Sequence, residues 1–115
     1  MTRHVDPESV ELLAEPQNDL VGRALVGRMN GSEDVSITWI RLDGHHRRLR
    51  SGKTTRIYYV LSGSFVFDVE PDCQISAGRD HTVVLDPSTA YSLSGTGEYL
   101  VINAPAFTEG DDQYL

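Results

Sequence analysis

The sequence predicts an all-β sandwich or barrel, and three observations lead there. Short runs rich in Val, Ile, Leu and Tyr recur at about 8–12 residue spacing with Gly, Pro, Asn and Asp clusters between them. Within several runs apolar and polar residues alternate, the period of a strand with one face buried. At 115 residues the chain has room for one domain and one core.

In chain order, Asp6-Pro7-Glu8 can start one helical turn, with Asp as cap and Pro at the first position. Val10 to Ala14 reads equally as a short strand or a continued turn, and Glu15 to Asp19 as a loop. Leu20 to Met29 holds two glycines and unevenly spaced apolar residues, which favours a bent strand before the turn Asn30 to Asp34. In the strand Val35 to Leu42, Val35, Ile37 and Trp39 share one face, and Ser36, Thr38, Ile40 and Leu42 the other.

Arg56 to Gly63 is expected to be a strand running into a glycine turn, and Ser64 to Glu70 the second arm of that hairpin, with Phe65, Phe67 and Val69 on one face. Pro71 to Asp80 reads as a loop, Thr82 to Leu85 as a strand and Asp86 to Thr89 as a turn. Tyr91 to Ser94 is a short strand, which Gly95-Thr96-Gly97 turns into Tyr99 to Asn103. From Thr108 the acidic segment 108–115 is expected to be a solvated tail, and residues 1–19 an N-terminal arm.

A net charge of −7 argues against a nucleic-acid surface. Half of the ten Lys and Arg (Arg41, Arg47, Arg48, Arg50 and Lys53) nevertheless crowd into 41–53, with Arg56 just beyond. The lone Cys73 permits no intrachain disulfide, fits a reducing, cytoplasmic setting and has no evident base beside it. No apolar run approaches ~20 residues and the first residues are polar, so neither a membrane span nor a signal peptide is expected. There is no G-x-S-x-G elbow or triad order.

Gly44 to Gly63, GHHRRLRSGKTTRIYYVLSG, resembles the first motif of the cupin family, G-x5-H-x-H-x3-E-x6-G, from Gly44 through Arg50, Gly52 and Arg56 to Gly63. The family's second motif, G-x5-P-x-G-x2-H-x3-N, can be laid on Asp80, Asp86, Ser88, Tyr91 and Gly95. The resemblance spans about residues 35–105 and implies a single double-stranded β-helix (jelly-roll) domain, a homodimer and an N-terminal strand able to cross to the second subunit.

The usual three His and one Glu of metal-binding cupins are replaced here by Arg50, Gly52, Arg56 and Tyr91. A first-row metal wants neutral imidazole or anionic oxygen, so two guanidinium groups disfavour it and no cofactor is expected. A relocated metal set would have to draw on His45, His46 and His81.

On the same alignment Arg50, Arg56 and Tyr91 face the lumen, with Tyr58 and Leu93 on the same faces. Arginine forks match a carboxylate or phosphate, so the expected partner is a small anionic organic ligand bound by Arg50, Arg56, Trp39 and Leu93. Tyr91 or Tyr58 would move a proton, with one of His45 or His46, of which His46 is preferred, as base. The predicted function is a metal-independent isomerase, cyclase or lyase; a non-catalytic binding module and a metal-dependent oxygenase or isomerase remain alternatives. Against all three stands a purely structural reading, in which the arginines pair with Asp68, Glu70 or Asp86 at the barrel mouth. A register shift of one residue would turn Arg56 outward.

Overall fold

The computed structural model describes residues 2–115. Eight strands form one antiparallel system: β1 (Leu13–Glu15), β2 (Leu20–Val26), β3 (Ser36–Ser51), β4 (Thr55–Val69), β5 (Cys73–Gly78), β6 (Thr82–Leu85), β7 (Tyr91–Ala104) and β8 (Asp112–Tyr114). The only helical pieces among the described residues are three 3-10 turns at Pro7–Ser9, Pro16–Asn18 and Arg28–Asn30. None of these is long enough to cross a membrane. The first begins as expected, with the Asp6 carboxylate accepting from Glu8 N.

Three long strands carry the architecture, and here the expected turns are corrected. Arg56 to Val69 is not a hairpin but lies within the single strand β4, and Tyr91 to Asn103 lies within the single strand β7. The glycines read as turns are creases inside strands: Gly44 (φ 139°), Gly63 (φ 78°), Gly95 (φ 148°) and Gly97 (φ 150°) all adopt left-handed φ values. They sit opposite one another, Gly44 against Gly95 and Gly63 against Gly97. Absence of Cβ lets the backbones approach: a Cβ on Gly63 would strike Thr96 O and the Gly97 Cα.

The crease divides each long strand between two layers. On one side β1, β2, the first half of β3, the second half of β7, the first half of β4 and β6 pair in that order. On the other, β8, the second half of β3, the first half of β7, the second half of β4 and β5 pair. The layers pack face to face, shown by edge-on contacts of Tyr58 with Phe67 (5.0 Å) and Phe65 with Tyr99 (5.2 Å). Each such aromatic pair contributes about 0.5–1.5 kcal/mol beyond its area burial. The result is the jelly-roll barrel of the cupin type expected from the sequence, its core built from Leu42, Val60, Phe65, Phe67, Leu93 and Tyr99.

The barrel also extends beyond 35–105 at both ends. The segment taken as a loop contains β5, which pairs with β4. The bent strand β2 pairs with β3, with a bulge between Ala24 and Val26. The expected solvated tail forms β8 on β3, and Asp111 accepts from Lys53 N and Thr54 Oγ1.

Candidate active site

Strand parity decides which side chains enter the barrel. On β4, Arg56, Tyr58 and Val60 point inward; on β7, Tyr91, Leu93, Tyr99 and Asn103 do so. At one end of the barrel these residues leave an open cavity of about 350 Å³, lined by Thr38, Ile40, His46, Arg56, Tyr58 and Tyr99, together with Asn103, Asp112 and Tyr114. Glu15 lies at the same cavity from β1.

Arg56 is the buried centre of the polar part, with a side chain only 5% exposed. Its Nε donates to Asn103 Oδ1 (2.7 Å), Nη1 to the Tyr91 hydroxyl (3.1 Å) and Nη2 to Asp112 Oδ1 (2.7 Å). Burial works against its charge, but the surrounding oxygens outweigh that and hold it protonated: those of Tyr91 and Tyr58 once ionised at high pH, and the Asp112 carboxylate at neutral pH. Because Asn103 gives its oxygen to Arg56, its amide N–H groups remain for the cavity.

The Tyr91 hydroxyl lies 2.6 Å from that of Tyr58. Burial pushes both phenols above their ordinary pKa, Tyr58 strongly, although the Arg56 charge pulls the other way. Both are therefore neutral O–H groups at neutral pH, and Tyr58 presents its hydroxyl at the cavity.

His46 enters from β3. Its Nδ1 is 2.9 Å from Arg47 O, and a carbonyl can only accept, so Nδ1 carries the proton. In the neutral ring Nε2 then holds a free lone pair. Burial lowers the His46 pKa, more than the Arg47 carbonyl and Glu15 raise it, which keeps the ring neutral. The Tyr114 ring stacks on it at 6.1 Å, and the Arg47 guanidinium covers Tyr114 at 4.1 Å. Asn18, fully buried, secures this corner: its amide donates to Glu15 Oε1 and the Tyr114 hydroxyl, and its oxygen accepts from Arg47 N and Nε.

The structure thus brings His46, Arg56, Tyr58 and Tyr91 together and separates the rest of the expected set. Arg50 does not enter the lumen: an extra residue bulges β3 between His46 and Leu49, which turns Leu49 and Ser51 inward and Arg50 out. Trp39 lies on the outer face, its Nε1 donating to Glu98, between the guanidinium groups of Arg23 and Arg41. That follows from alternation, since its neighbours Thr38 and Ile40 take the cavity side. Leu93 faces inward but sits in the apolar core, opposite Phe67 and His46, away from the cavity.

The histidines do not converge as a metal set. His45 is exposed on the opposite face of β3 from His46, and His81 accepts from Gly78 N beside a separate groove lined by Phe65 and Ala77. Among the described residues no three His, Cys, Asp or Glu side chains group closely enough to hold a metal ion. The suggested pairing of the arginines with Asp68, Glu70 or Asp86 is also replaced, for Arg56 by Asp112.

Sequence reasoning missed Asn103, Asp112, Tyr114 and Asn18. Asn103 carried a signal, since it follows Tyr99 and Val101 at period two on an apolar strand. The other three meet the site only through contacts across the whole chain and carried none.

The sequence matches no protein-family model and no curated protein sequence. The fold does find company. A Streptomyces Pac13 variant with a histidine replaced by glutamine, solved with uridine, superposes with a TM-score of 0.88 at 18% identity over 100% of this chain and 92% of that one. Pac13 itself, described as a unique nucleoside dehydratase, gives 0.88 at 19% over the same shares. KdgF from Halomonas gives 0.82 at 12%, covering 95% of this chain and 98% of that one. The polyketide cyclase RemF from Streptomyces resistomycificus gives 0.76 at 15%, covering 96% and 89%. At these identities the likeness is one of fold.

Proposed function

We propose that the chain is a metal-independent small-molecule enzyme of lyase or isomerase type, acting in the barrel cavity with His46 as base and Tyr58 as proton donor. The observation that carries this reading is the cavity shared by an imidazole of fixed tautomer and a protonated phenol backed by Tyr91 and Arg56. Such groups with pKa values pushed apart are how one site runs acid and base chemistry together. In an elimination His46 Nε2 takes a proton from carbon, the C–H electrons form a C=C bond, and the departing hydroxyl leaves as water with the Tyr58 proton. In an isomerisation of an α-hydroxy carbonyl compound the same C–H electrons form an enediol as the carbonyl oxygen takes the Tyr58 proton. The neighbouring hydroxyl then gives its proton back to Tyr58 and becomes the new carbonyl, while His46 returns its proton to the former carbonyl carbon. A neutral imidazole removes only an acidified C–H, so the substrate carries a carbonyl next to that carbon.

The ligand this cavity suits is neutral and hydroxyl-rich rather than the anion predicted from sequence. Among the described residues Arg56 is the only Lys or Arg at the cavity wall, three of its five N–H donors are held by Asn103, Tyr91 and Asp112, and the carboxylates of Glu15 and Asp112 outnumber it there. Most of what meets a ligand is neutral: His46 Nε2, the Asn103 amide and the hydroxyls of Thr38, Tyr58 and Tyr99, beside the two remaining N–H groups of Arg56. That Pac13 is called a nucleoside dehydratase, and that its His→Gln and Tyr→Phe variants were solved with uridine, supports starting with nucleosides and their carbonyl derivatives.

The test is saturable binding, by calorimetry, of neutral nucleosides and sugars to chelator-treated protein. Turnover of their carbonyl forms is then followed by mass spectrometry for loss of one water or for an isomer. Turnover that His46→Gln and Tyr58→Phe abolish without abolishing binding establishes the proposal. Binding with no turnover in any of these compounds would leave a binding module, and activity only after a metal is restored would overturn the metal-independent reading.

A further inference from the structure

Strand β8 lies outside both motifs, yet it touches each half of the acid–base pair. Its first residue, Asp112, is the anionic partner of Arg56, and Arg56 in turn donates to Tyr91, whose hydroxyl meets Tyr58. Two residues along, Tyr114 stacks on His46 and is itself clamped by Arg47 and by the amide of Asn18. On a strand, side chains two apart share a face, so one short element sets a carboxylate and a ring into the same cavity wall.

We propose that Asp112 and Tyr114 are positioning residues of the catalytic site. Asp112 fixes the donor side by holding Arg56 on Tyr91, and Tyr114 fixes the base by covering the His46 ring. The inference rests on reading His46 and Tyr58 as the acid–base pair.

The chemistry follows from the charges. Asp112 balances Arg56; without it an uncompensated guanidinium beside Tyr91 favours the phenolate and drains the relay of its proton. Tyr114 excludes water from one side of His46; without it the imidazolium is better solvated and the ring becomes a poorer base near neutrality. The charged and titratable groups facing His46 are Glu15 from β1, Arg47 beside it on β3, Arg56 from β4, and Asp112 and Tyr114 from β8. Those facing Arg56 are Tyr58 on its own strand, His46 from β3, Tyr91 and Tyr99 from β7 and Asp112 from β8.

The test reads the two groups without any substrate. Imidazole nitrogen NMR of the whole chain follows the His46 tautomer and titration, and absorbance of the phenolate follows the tyrosines. Tyr114→Leu is expected to raise the His46 pKa toward its ordinary value, while Tyr114→Phe, which keeps the ring, leaves it in place. Asp112→Asn is expected to bring one buried tyrosine into titration at lower pH, and Asp112→Glu to leave the phenols as they were. Should Asp112→Asn not fold, Asp112→Ser, which leaves room for water beside Arg56, carries the same test.

An unmoved His46 titration in folded Tyr114→Leu overturns the role of Tyr114. An unmoved phenol titration in the neutral Asp112 variant overturns that of Asp112. Failure to find a substrate bears on the proposed reaction alone, since neither readout uses one.

Discussion

The hydroxyls of Tyr58 and Tyr91 lie 2.6 Å apart inside the barrel, and one proton serves that contact. Tyr91 already accepts from Arg56 Nη1, so its own proton can go to Tyr58, and the Tyr58 proton is then free for the cavity. On the proposed reading, this direction makes Tyr58, not Tyr91, the group that would meet a substrate. Tyr58→Phe is therefore expected to lower kcat by about 10²–10⁴-fold with little change in ligand affinity. Tyr91→Phe is expected to cost less, because the Tyr58 hydroxyl remains. A kinetic comparison of the two variants checks the order, and equal losses would contradict it.

His46 predicts how stability responds to acid. Its folded pKa lies below 6.5, mainly through burial, so in the window beneath pH 6.5 the unfolded chain binds a proton that the folded chain refuses. The contribution is complete above pH 6.5 and is lost as pH falls toward the folded value. Denaturant unfolding across that window is expected to show a slope that His46→Gln flattens. A slope that persists in the variant would assign it to other groups.

Among the described residues Arg56 and Asp112 form the one ion pair with both side chains largely buried, 5% and 20% exposed. Arg56→Leu removes the cation and leaves a carboxylate, a phenol and an amide oxygen without their donor. The expected cost is about 3–5 kcal/mol in chemical denaturation. Adding Asp112→Leu should recover part of that loss, because the stranded charge goes with it. A single-variant cost under about 1 kcal/mol would show that water reaches Asp112 freely.

Gly63 tests the crease. Its φ of 78° and the Thr96 carbonyl against its Cβ position make Gly63→Ala expensive, by about 2 kcal/mol or more. Gly78→Ala is the control, since a Cβ there meets nothing within 4 Å, and its effect should stay within about 0.5 kcal/mol. Similar costs at both positions would argue against the close approach at the crease.

The fold class was legible because it rests on local signals. Alternation grouped Phe65, Phe67 and Val69 on one face, and the resemblance to cupins placed Tyr58 and Tyr91 in the lumen; all five are buried in the structure. Continuity was not legible: Gly63, Gly95 and Gly97 have the chemistry of turn residues, and only their partners across the sheet make them bends within strands. Arg50 was misplaced for a related reason, since nothing in His46-Arg47-Arg48-Leu49 announces the extra residue that flips the parity there. Asp112 escaped because acidic residues near polar, glycine-rich sequence read as solvated, and its role depends on a partner far along the chain.

That distance has a consequence for how the molecule is made. Asp112 follows Arg56 by 56 residues. At about 5–20 residues per second of synthesis, the guanidinium waits roughly 3–11 s for its counter-charge. During that interval burial of Arg56 is penalised, so β4 has reason to stay loosely packed until β7 and β8 have left the ribosome. The final packing around Arg56 is thus expected to await the C-terminal strand, which supplies the carboxylate that its charge needs.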